Sequence, residues 1–158
     1  MRLTVLSDSH GAFSSLEKTV SDRFDDTSLF IFLGDGHRDI EKLVSLYPSI
    51  NLLAVSGNCD FCSSYPVSNE IKFNGKRIFF THGHLFNVKY SYDDIIAHAE
   101  NISADLLLFG HTHTPFTKYS NGLYIMNPGS LRCNTSGPPS YGIIDVLQSG
   151  LSLNIVNL

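Results

Sequence analysis

The chain has 158 residues, of which 42% are hydrophobic and 16% are charged, a balance that excludes wholesale disorder and predicts a packed core. Its net charge of −4 disfavours a nucleic-acid polymer as partner, because tight binding to one requires a clustered basic face. No apolar stretch approaches the roughly 20 residues of a membrane-spanning helix, and no cleavage site follows Met1 to Leu6, so we expect a cytoplasmic protein without a membrane partner.

Apolar runs and helical patterns alternate through the first two thirds of the chain. A helix is predicted from Phe13 to Arg23, where apolar residues recur at helical spacing. Asp39 is expected to cap a second helix that ends before Pro48, and a third helix is expected from Ser91 to Asn101. This alternation predicts βαβ units and a mostly parallel sheet.

The remainder of the chain has an antiparallel pattern. Asn74-Gly75 and Asn121-Gly122 are two-residue turn sequences between strand-like runs, and Ser149-Gly150 divides the last two runs. Strands without helices in the last third predict a second sheet packed on the first. The expected fold class is therefore α/β, with residues 1–158 forming one domain.

Five short polar segments stand at the points where apolar runs end. They are Asp8-Ser9-His10, Gly34-Asp35, Gly57-Asn58, His82-Gly83-His84 and Gly110-His111-Thr112-His113. An open α/β sheet builds its ligand site beyond the carboxyl ends of its strands, so these segments are expected to meet there. Their carboxylates, amide and imidazoles form a mixture that suits hard-to-borderline divalent metals.

Three of the segments place two side chains on either side of a single residue, and such pairs project to one side of an extended or turning backbone. Asp35, between two glycines, suits a carboxylate that bridges two metals roughly 3.5–4 Å apart. Two such metals lower the pKa of a bound water toward neutrality and stabilise charge on an attacked phosphorus. The segments therefore predict a metal-dependent hydrolase of phosphate esters.

In chain order, the segments resemble the pattern of the calcineurin-like metallophosphoesterase superfamily, which runs D-x-H, G-D, G-N-H-D/E, an isolated His and G-H-x-H. The match extends from Asp8 to Ser130. Gly57-Asn58-Cys59-Asp60, Asn127-Pro128-Gly129-Ser130 and the short length are most similar to the small phosphodiesterases of bacteria and archaea. The resemblance implies two mixed β-sheets packed as a sandwich and flanked by helices, in four layers.

The resemblance also implies a dinuclear phosphodiesterase that acts on a small phosphate ester and can form a homo-oligomer. Manganese is the preferred ion, and iron, zinc, nickel or cobalt would also suit the mixed oxygen and nitrogen ligands. By position, one metal would be held by Asp8, His10 and His113, and the other by Asn58, His82 and His111. Asp35 would bridge the two.

Further roles follow from the same resemblance. The implied catalytic residues are Asp35, Asn58 and His84. The implied substrate-binding residues are Cys59, His84, Asn127 and Ser130, although a structural turn explains Asn127 to Ser130 equally well. His37, close to Asp35 in sequence, either reaches substrate or is a solvated loop histidine.

One position departs from the superfamily pattern. Cys59 stands where a histidine usually follows the ligand Asn58 and protonates the leaving group. A thiol is a poorer proton donor than a tuned imidazolium, so we expect a preference for leaving groups of low pKa. Asp60, His84 or a metal-bound water would carry any remaining acid function.

The sequence also leaves alternative interpretations open for the cysteines and for the function. Cys59 and Cys62 have C-x-x-C spacing, which is either incidental, a structural zinc or redox pair, or a sign that Cys59 serves the main site. The alternatives to a phosphodiesterase are a phosphomonoesterase or protein phosphatase, a nuclease, and a non-catalytic scaffold of the same fold.

Overall fold

The computed structural model describes residues 1–133, 137–147 and 149–158, and these contain ten strands, three α-helices and one short 3₁₀ helix, His84–Phe86. The helices are α1 (Phe13–Arg23), α2 (His37–Leu46) and α3 (Asp93–Asn101). The strands are β1 (Arg2–Leu6), β2 (Leu29–Phe32), β3 (Leu52–Ala54), β4 (Ser68–Phe73), β5 (Lys76–Thr81), β6 (Leu106–Phe109), β7 (Phe116–Ser120), β8 (Leu123–Asn127), β9 (Ser140–Leu147) and β10 (Gly150–Asn157).

The strands form two mixed sheets of five strands each. The first has the order β10-β9-β1-β2-β3, in which β1, β2 and β3 are parallel and β9 is antiparallel to both neighbours. The second has the order β4-β5-β6-β8-β7, in which β5, β6 and β8 are parallel and the edge strands are antiparallel. The predicted pair of mixed sheets is confirmed.

The sheets pack face to face, and helices cover their outer faces. Leu3 and Ile31 of the first sheet share a buried cluster with Ile78 and Leu108 of the second. Neighbouring positions on the strands point the other way, because successive strand side chains alternate between faces. The central strands β2 and β6 are consequently buried on both faces, as their continuous apolar runs indicate.

The outer clusters complete the four layers. Leu16 of α1 and Ile40 of α2 pack with Phe30 on the outside of the first sheet. Ile95 of α3 packs with Leu107 on the outside of the second sheet. None of the helices in the described part of the chain is long and apolar enough to cross a membrane.

The observed helices agree with the predicted bounds for α1 but not with the predicted cap of α2. The bounds predicted for α1 are confirmed. The capping role predicted for Asp39 is wrong: α2 begins at His37 after Gly36, and Asp39 Oδ2 instead accepts hydrogen bonds from Ser9 Oγ at 2.6 Å and from the Gly11 N–H at 2.9 Å. Asp39 therefore anchors the loop that follows β1.

The start of α3 also differs from the prediction. This helix begins at Asp93 rather than at Ser91. Ser91 Oγ accepts the Asp93 N–H at 3.0 Å, which places Ser91 in the turn before the helix.

The predicted turns join the expected strands, but the last hairpin lies in a different sheet. Asn74-Gly75 connects β4 to β5 and Asn121-Gly122 connects β7 to β8, with both asparagines at positive φ. The prediction that the last third adds a second sheet is correct only in part, because β7 and β8 lie in that sheet but it starts earlier, at β4. β9 returns to the first sheet and completes the free edge of β1, where Leu3 pairs with Ile144.

Candidate metal centre

The loops after β1, β2, β3, β5 and β6 meet at one edge of the sandwich. Backbone hydrogen bonds tie them together, from Asp8 N–H to Gly34 O at 3.0 Å and from Gly110 N–H to His82 O at 3.0 Å. Five of the seven predicted metal-binding residues lie in the left-handed region: Asp8 (φ 54°), His10 (43°), Asp35 (60°), His111 (67°) and His113 (59°). Positive φ is uncommon outside glycine and concentrates at functional sites.

Three side chains form what we call the first donor group: Asp8, His10 and His113. Asp8 Oδ1 lies 3.0 Å from His113 Nε2 and 3.6 Å from His10 Nε2. The two imidazole Nε2 atoms are 3.3 Å apart. The three atoms are thus close enough to surround a single ion.

The second donor group comprises His82, His111 and Asn58. His82 Nε2 lies 3.1 Å from His111 Nδ1 and 3.2 Å from Asn58 Oδ1. His82 Nδ1 donates a hydrogen bond to Leu33 O at 2.8 Å, which orients the ring with Nε2 toward the group. A backbone carbonyl in this role is typical of metal-binding histidines.

Asp35 stands between the two groups. Its Oδ2 atom lies 3.5 Å from His10 Nε2 and 3.4 Å from His82 Nε2, while its Oδ1 accepts the Cys59 N–H at 2.7 Å. One carboxylate oxygen therefore faces both donor groups, which is the position a bridging ligand requires.

The buried charges in the centre fit a cation. Asp8 is fully buried, and no hydrogen-bond donor within residues 1–133, 137–147 and 149–158 satisfies its Oδ1 atom. Burial would raise the pKa of Asp8, but the neighbouring imidazoles of His10 and His113 hold that pKa well below its usual range. Burial would also raise the pKa of Asp35, yet hydrogen bonding to His82 and the charge of that ring lower it to about 2. A divalent ion would compensate both carboxylates.

The imidazoles respond to the same charges. Burial alone would lower the pKa of His82, but its hydrogen bond to Asp35 and the nearby Asp8 charge raise it. Burial and then the His82 charge lower the pKa of His111 to about 4. Oxygen and nitrogen donors in this mixture suit manganese, iron, cobalt, nickel or zinc, so the residues present fit the metals that the sequence implied.

His84 lies beside the second donor group without joining it. Its ring centroid is 5.4 Å from that of His82 and 6.1 Å from that of His111. Burial and the His82 charge lower the pKa of His84, so its imidazole is neutral near pH 7. Among the described residues, none makes a hydrogen bond to its buried Nδ1 atom.

Asn127 and Ser130 support the loops through hydrogen bonds, and their predicted contacts with substrate stay a prediction. Both side chains are buried. Asn127 Nδ2 donates hydrogen bonds to Gly110 O at 2.9 Å and Thr112 Oγ1 at 3.0 Å. Ser130 Oγ donates to Asp8 O at 2.9 Å. Because these groups are fully engaged, the alternative interpretation as a structural turn is the one that the contacts favour.

Asp60 has a larger structural role than the sequence indicated. Its carboxylate accepts four backbone N–H groups, from Asp35, Gly36, His37 and Gly57, at 2.8–2.9 Å. It therefore fastens the loop after β2 to the loop after β3 and is not available as a general acid. In the sequence, the only sign of this structural role was the place of Asp60 at the end of the Gly57-Asn58-Cys59-Asp60 motif. The resemblance matches that position to the family pattern but assigns it no contacts.

The His37 side chain is held by a contact with Asp60 and is not a solvated loop histidine. Its Nδ1 atom lies 3.0 Å from Asp60 Oδ1, and its side chain is 15% exposed. It borders a cavity of about 370 Å³ that opens beside Asp35 and is also lined by His10, Cys59 and Phe61. Phe61 is 78% exposed and gives this cavity an aromatic wall.

Gly57 sits too close to Asp35 to accept a side chain. A Cβ atom at Gly57 would lie 2.1 Å from Asp35 Oδ1 and 2.6 Å from Asp35 N. Gly57→Ala should therefore displace Asp35 and weaken metal affinity on the order of tenfold to hundredfold, measured as metal retained after dialysis.

Gly75→Ala is the matched control for this prediction. Gly75 has φ +80° but no atom near its added Cβ, so the variant should lose about 1–2 kcal/mol of stability and keep its metal. Equal metal retention by the two variants would contradict the predicted clash at Gly57.

Comparisons with known proteins identify the family. A family model described as the calcineurin-like phosphoesterase superfamily domain matches residues 1–149. Phosphodiesterase YfcE of Escherichia coli (strain K12) is 29% identical, over 92% of this chain and 88% of its own length.

Two solved structures share the fold. A predicted phosphoesterase from Streptococcus pneumoniae TIGR4 superposes with a TM-score of 0.86 at 24% identity, covering 99% of this chain and 88% of that one. Vps29 of Entamoeba histolytica complexed with zinc superposes with a TM-score of 0.72 at 20% identity, covering 99% of each chain. At these identities the structures show the fold alone, whereas the family model matches sequence across nearly the whole chain. The chain therefore belongs to the calcineurin-like phosphoesterase superfamily.

Proposed function

We propose that this protein hydrolyses small phosphodiesters with two divalent metal ions. The observation that carries the proposal is the position of Asp35 Oδ2, 3.5 Å from His10 of the first donor group and 3.4 Å from His82 of the second. A carboxylate shared by two sets of donors supports two neighbouring ions better than one.

The residues that would hold the ions are the two donor groups. Asp8, His10 and His113 would hold one ion, Asn58, His82 and His111 the other, and Asp35 both. When bound, such ions activate water and stabilise charge on the phosphoryl group. We propose manganese as the ion for activity, since it accepts this mixture of oxygen and nitrogen ligands.

The cavity beside Asp35 supports a small substrate. Its volume of about 370 Å³ is in the range of small-molecule sites. The chain carries 11 basic against 15 acidic residues, which favours a small ester over a polynucleotide. In this arrangement Cys59 and Phe61 would contact the leaving group, and neutral His84 would contact the phosphoryl group from the side of the second donor group.

In the described residues, no side chain near the leaving group has a pKa suited to donating a proton near pH 7. Partial removal of water and the Asp35 carboxylate raise the pKa of Cys59 to about 11. Asp60 is occupied by backbone N–H groups, and burial lowers the pKa of His84. Low-pKa leaving groups, which depart without a proton, would therefore react best.

A Cys59→His variant tests this dependence on the leaving group. An imidazole at this position can donate a proton, so hydrolysis of alkyl phosphodiesters should rise on the order of a hundredfold while aryl diesters gain little. Initial rates of manganese-loaded protein on matched aryl and alkyl diesters give the ratio. Cys62→His provides the control, because Cys62 does not border the cavity. An unchanged alkyl-to-aryl ratio in Cys59→His would count against the assignment.

The metal-dependent activity itself is tested by metal analysis and by turnover of a chromogenic phosphodiester with added manganese. Parallel assays with phosphomonoesters separate a diesterase from a monoesterase. A protein that binds no metal and turns over neither substrate would instead be a scaffold. The convergence of all seven donor residues favours the enzyme, since a scaffold has no need to keep the Asp8 carboxylate and the His82 imidazole buried.

A further inference from the structure

We infer that the cavity beside Asp35 is a leaving-group site for a nucleotide, and that the substrates are diesters of pyrophosphate in which a nucleotide supplies one of the two phosphates. This inference rests on the proposed function and deepens it, because it names the group that departs from the metal centre. Phe61 would stack on the base, and Arg38 would pair with the phosphate that leaves. Both residues line the cavity.

Phe61 gives the cavity a surface for an aromatic group. Its side chain is 78% exposed although it borders the cavity. An aromatic ring that meets water in a binding cavity can stack on a base, and such stacking accepts any base because every base has a π-face. The cavity volume of about 370 Å³ is in the range of sites for small ligands.

Arg38 provides the charge for a second anionic group. It is the exposed second residue of α2, and no acceptor among residues 1–133, 137–147 and 149–158 pairs with its guanidinium. The carboxylates that line the same cavity are engaged: Asp39 accepts two hydrogen bonds from the loop after β1, and Asp60 accepts four backbone N–H groups. Asp35 faces the two donor groups. Arg38 is therefore available to a phosphate, which a guanidinium binds through two parallel hydrogen bonds.

One pair of contacts fixes Phe61 and Arg38 relative to each other. His37 Nδ1 lies 3.0 Å from Asp60 Oδ1, and the His37 N–H donates to the same oxygen at 2.9 Å. Arg38 follows His37 in the chain, and Phe61 follows Asp60. The start of α2 and the loop after β3 are thus joined at the residues next to the two side chains. A site whose walls are already joined loses less entropy when a ligand binds.

A pyrophosphate supplies the kind of leaving group that the proposed function favours. A phosphate monoester has a second pKa of about 6 and departs without a proton near pH 7, whereas an alcohol departs as a strongly basic alkoxide unless it is protonated. In the reaction, the oxygen of water forms a bond to the attacked phosphorus, and the bond from that phosphorus to the bridging oxygen breaks. The bridging oxygen keeps the electron pair and stays on the nucleotide. The two protons of water pass to solvent or to the product phosphates.

Hydrolysis in water labelled with oxygen-18 shows which phosphate departs. The substrate is a pyrophosphate with adenosine on one phosphorus and a methyl group on the other. Manganese-loaded protein should give methyl phosphate that carries the label and AMP that does not, because the water oxygen binds to the attacked phosphorus. Label in the AMP would overturn the inference, since the nucleotide would then lie on the attacked side.

Matched variants separate the two contacts. Dimethyl pyrophosphate has the same anhydride bond without a base. Phe61→Ala should reduce the kcat/KM ratio of the adenosine ester to dimethyl pyrophosphate on the order of tenfold to hundredfold, and Phe61→Tyr should retain that ratio. Arg38→Gln should lower kcat/KM for both pyrophosphates on the order of tenfold to hundredfold relative to methyl 4-nitrophenyl phosphate, which has a single phosphorus.

Lys42→Gln is the control for Arg38→Gln. Lys42 lies one turn further along α2 and is not among the described residues that line the cavity, so its variant should change neither ratio. Circular dichroism establishes that each variant is folded, which we expect because Phe61 and Arg38 are exposed. Ratios that stay unchanged in both Phe61→Ala and Arg38→Gln would overturn the inference.

Product binding tests the site without turnover. In titration calorimetry, the metal-free protein should bind AMP more tightly than ribose 5-phosphate on the order of tenfold to hundredfold, and Phe61→Ala should remove this preference. Hydrolysis of methyl 4-nitrophenyl phosphate without preferential binding of AMP would overturn the inference and leave the proposed function standing. Failure of the proposed function would look different: AMP would bind with this preference, and the manganese-loaded protein would hydrolyse none of the three esters.

Discussion

Asp35→Asn is expected to remove both metal ions and to reduce phosphodiester turnover by more than about a hundredfold, because even losing a group outside the ligand shell costs tenfold to hundredfold. The asparagine amide replaces the oxygen that faces His10 and His82 with an NH₂ group, which cannot bind a cation. Asparagine tolerates the φ of 60° at this position, and its carbonyl can still accept the Cys59 N–H. The fold should therefore survive, so the loss can be assigned to the ligand.

Metal content per chain and turnover are the two measurements for Asp35→Asn. Asp22→Asn is the matched control, since Asp22 is exposed on α1 and pairs only with Lys18 in the described part of the chain. That variant should keep its metal and its activity. If Asp35→Asn retained two ions per chain and most of its turnover, Asp35 would not be the shared ligand.

Asp60→Ala is expected to cost about 3 kcal/mol or more of unfolding free energy, since hydrogen bonds to a charged group each contribute about 1.5–3 kcal/mol. The variant leaves the backbone N–H groups of Asp35, Gly36, His37 and Gly57 without their shared acceptor. Once the loops after β2 and β3 are no longer held together, Asp35 and Asn58 would move away from the other metal-binding residues. Metal affinity should therefore fall together with stability.

Urea unfolding of the metal-free protein measures the stability effect of Asp60→Ala without any contribution from bound ions. Asp145→Ala serves for comparison. Its carboxylate pairs with Arg2 near the surface and should contribute about 1 kcal/mol or less. Similar losses in the two variants would show that Asp60 does not fasten the loops.

The strand ends were predictable from the sequence because their polar segments interrupt long apolar runs. A strand that is buried on both faces requires continuous apolar residues, so a carboxylate or histidine pair at its end is conspicuous. The turn sequences Asn74-Gly75 and Asn121-Gly122 were equally predictable, since asparagine and glycine accept positive φ. The starts of α2 and α3 were not, because Asp39 binds Ser9 and Gly11 of the loop after β1 and Ser91 lies in the turn before α3.

The roles of the supporting residues depended on tertiary contacts. Asn127 and Ser130 follow β8 in a turn sequence, and nothing local distinguishes a turn that faces substrate from one that faces the core. From the sequence, Asp60 was a candidate general acid, whereas three of its four N–H partners come from a loop 23 to 25 positions earlier in the chain. Hydrogen bonds between distant loops leave no periodic pattern in a sequence.

By itself the sequence identified the candidate residues for the chemistry and the strands that end beside them, because residue type and apolar periodicity are local properties. Only the tertiary structure decided that the last hairpin joins the first sheet, that Asp35 faces both donor groups, and that Cys59 sulfur lies beside His10. Those relations arise from packing two sheets against each other, which sets distances between residues far apart in the chain.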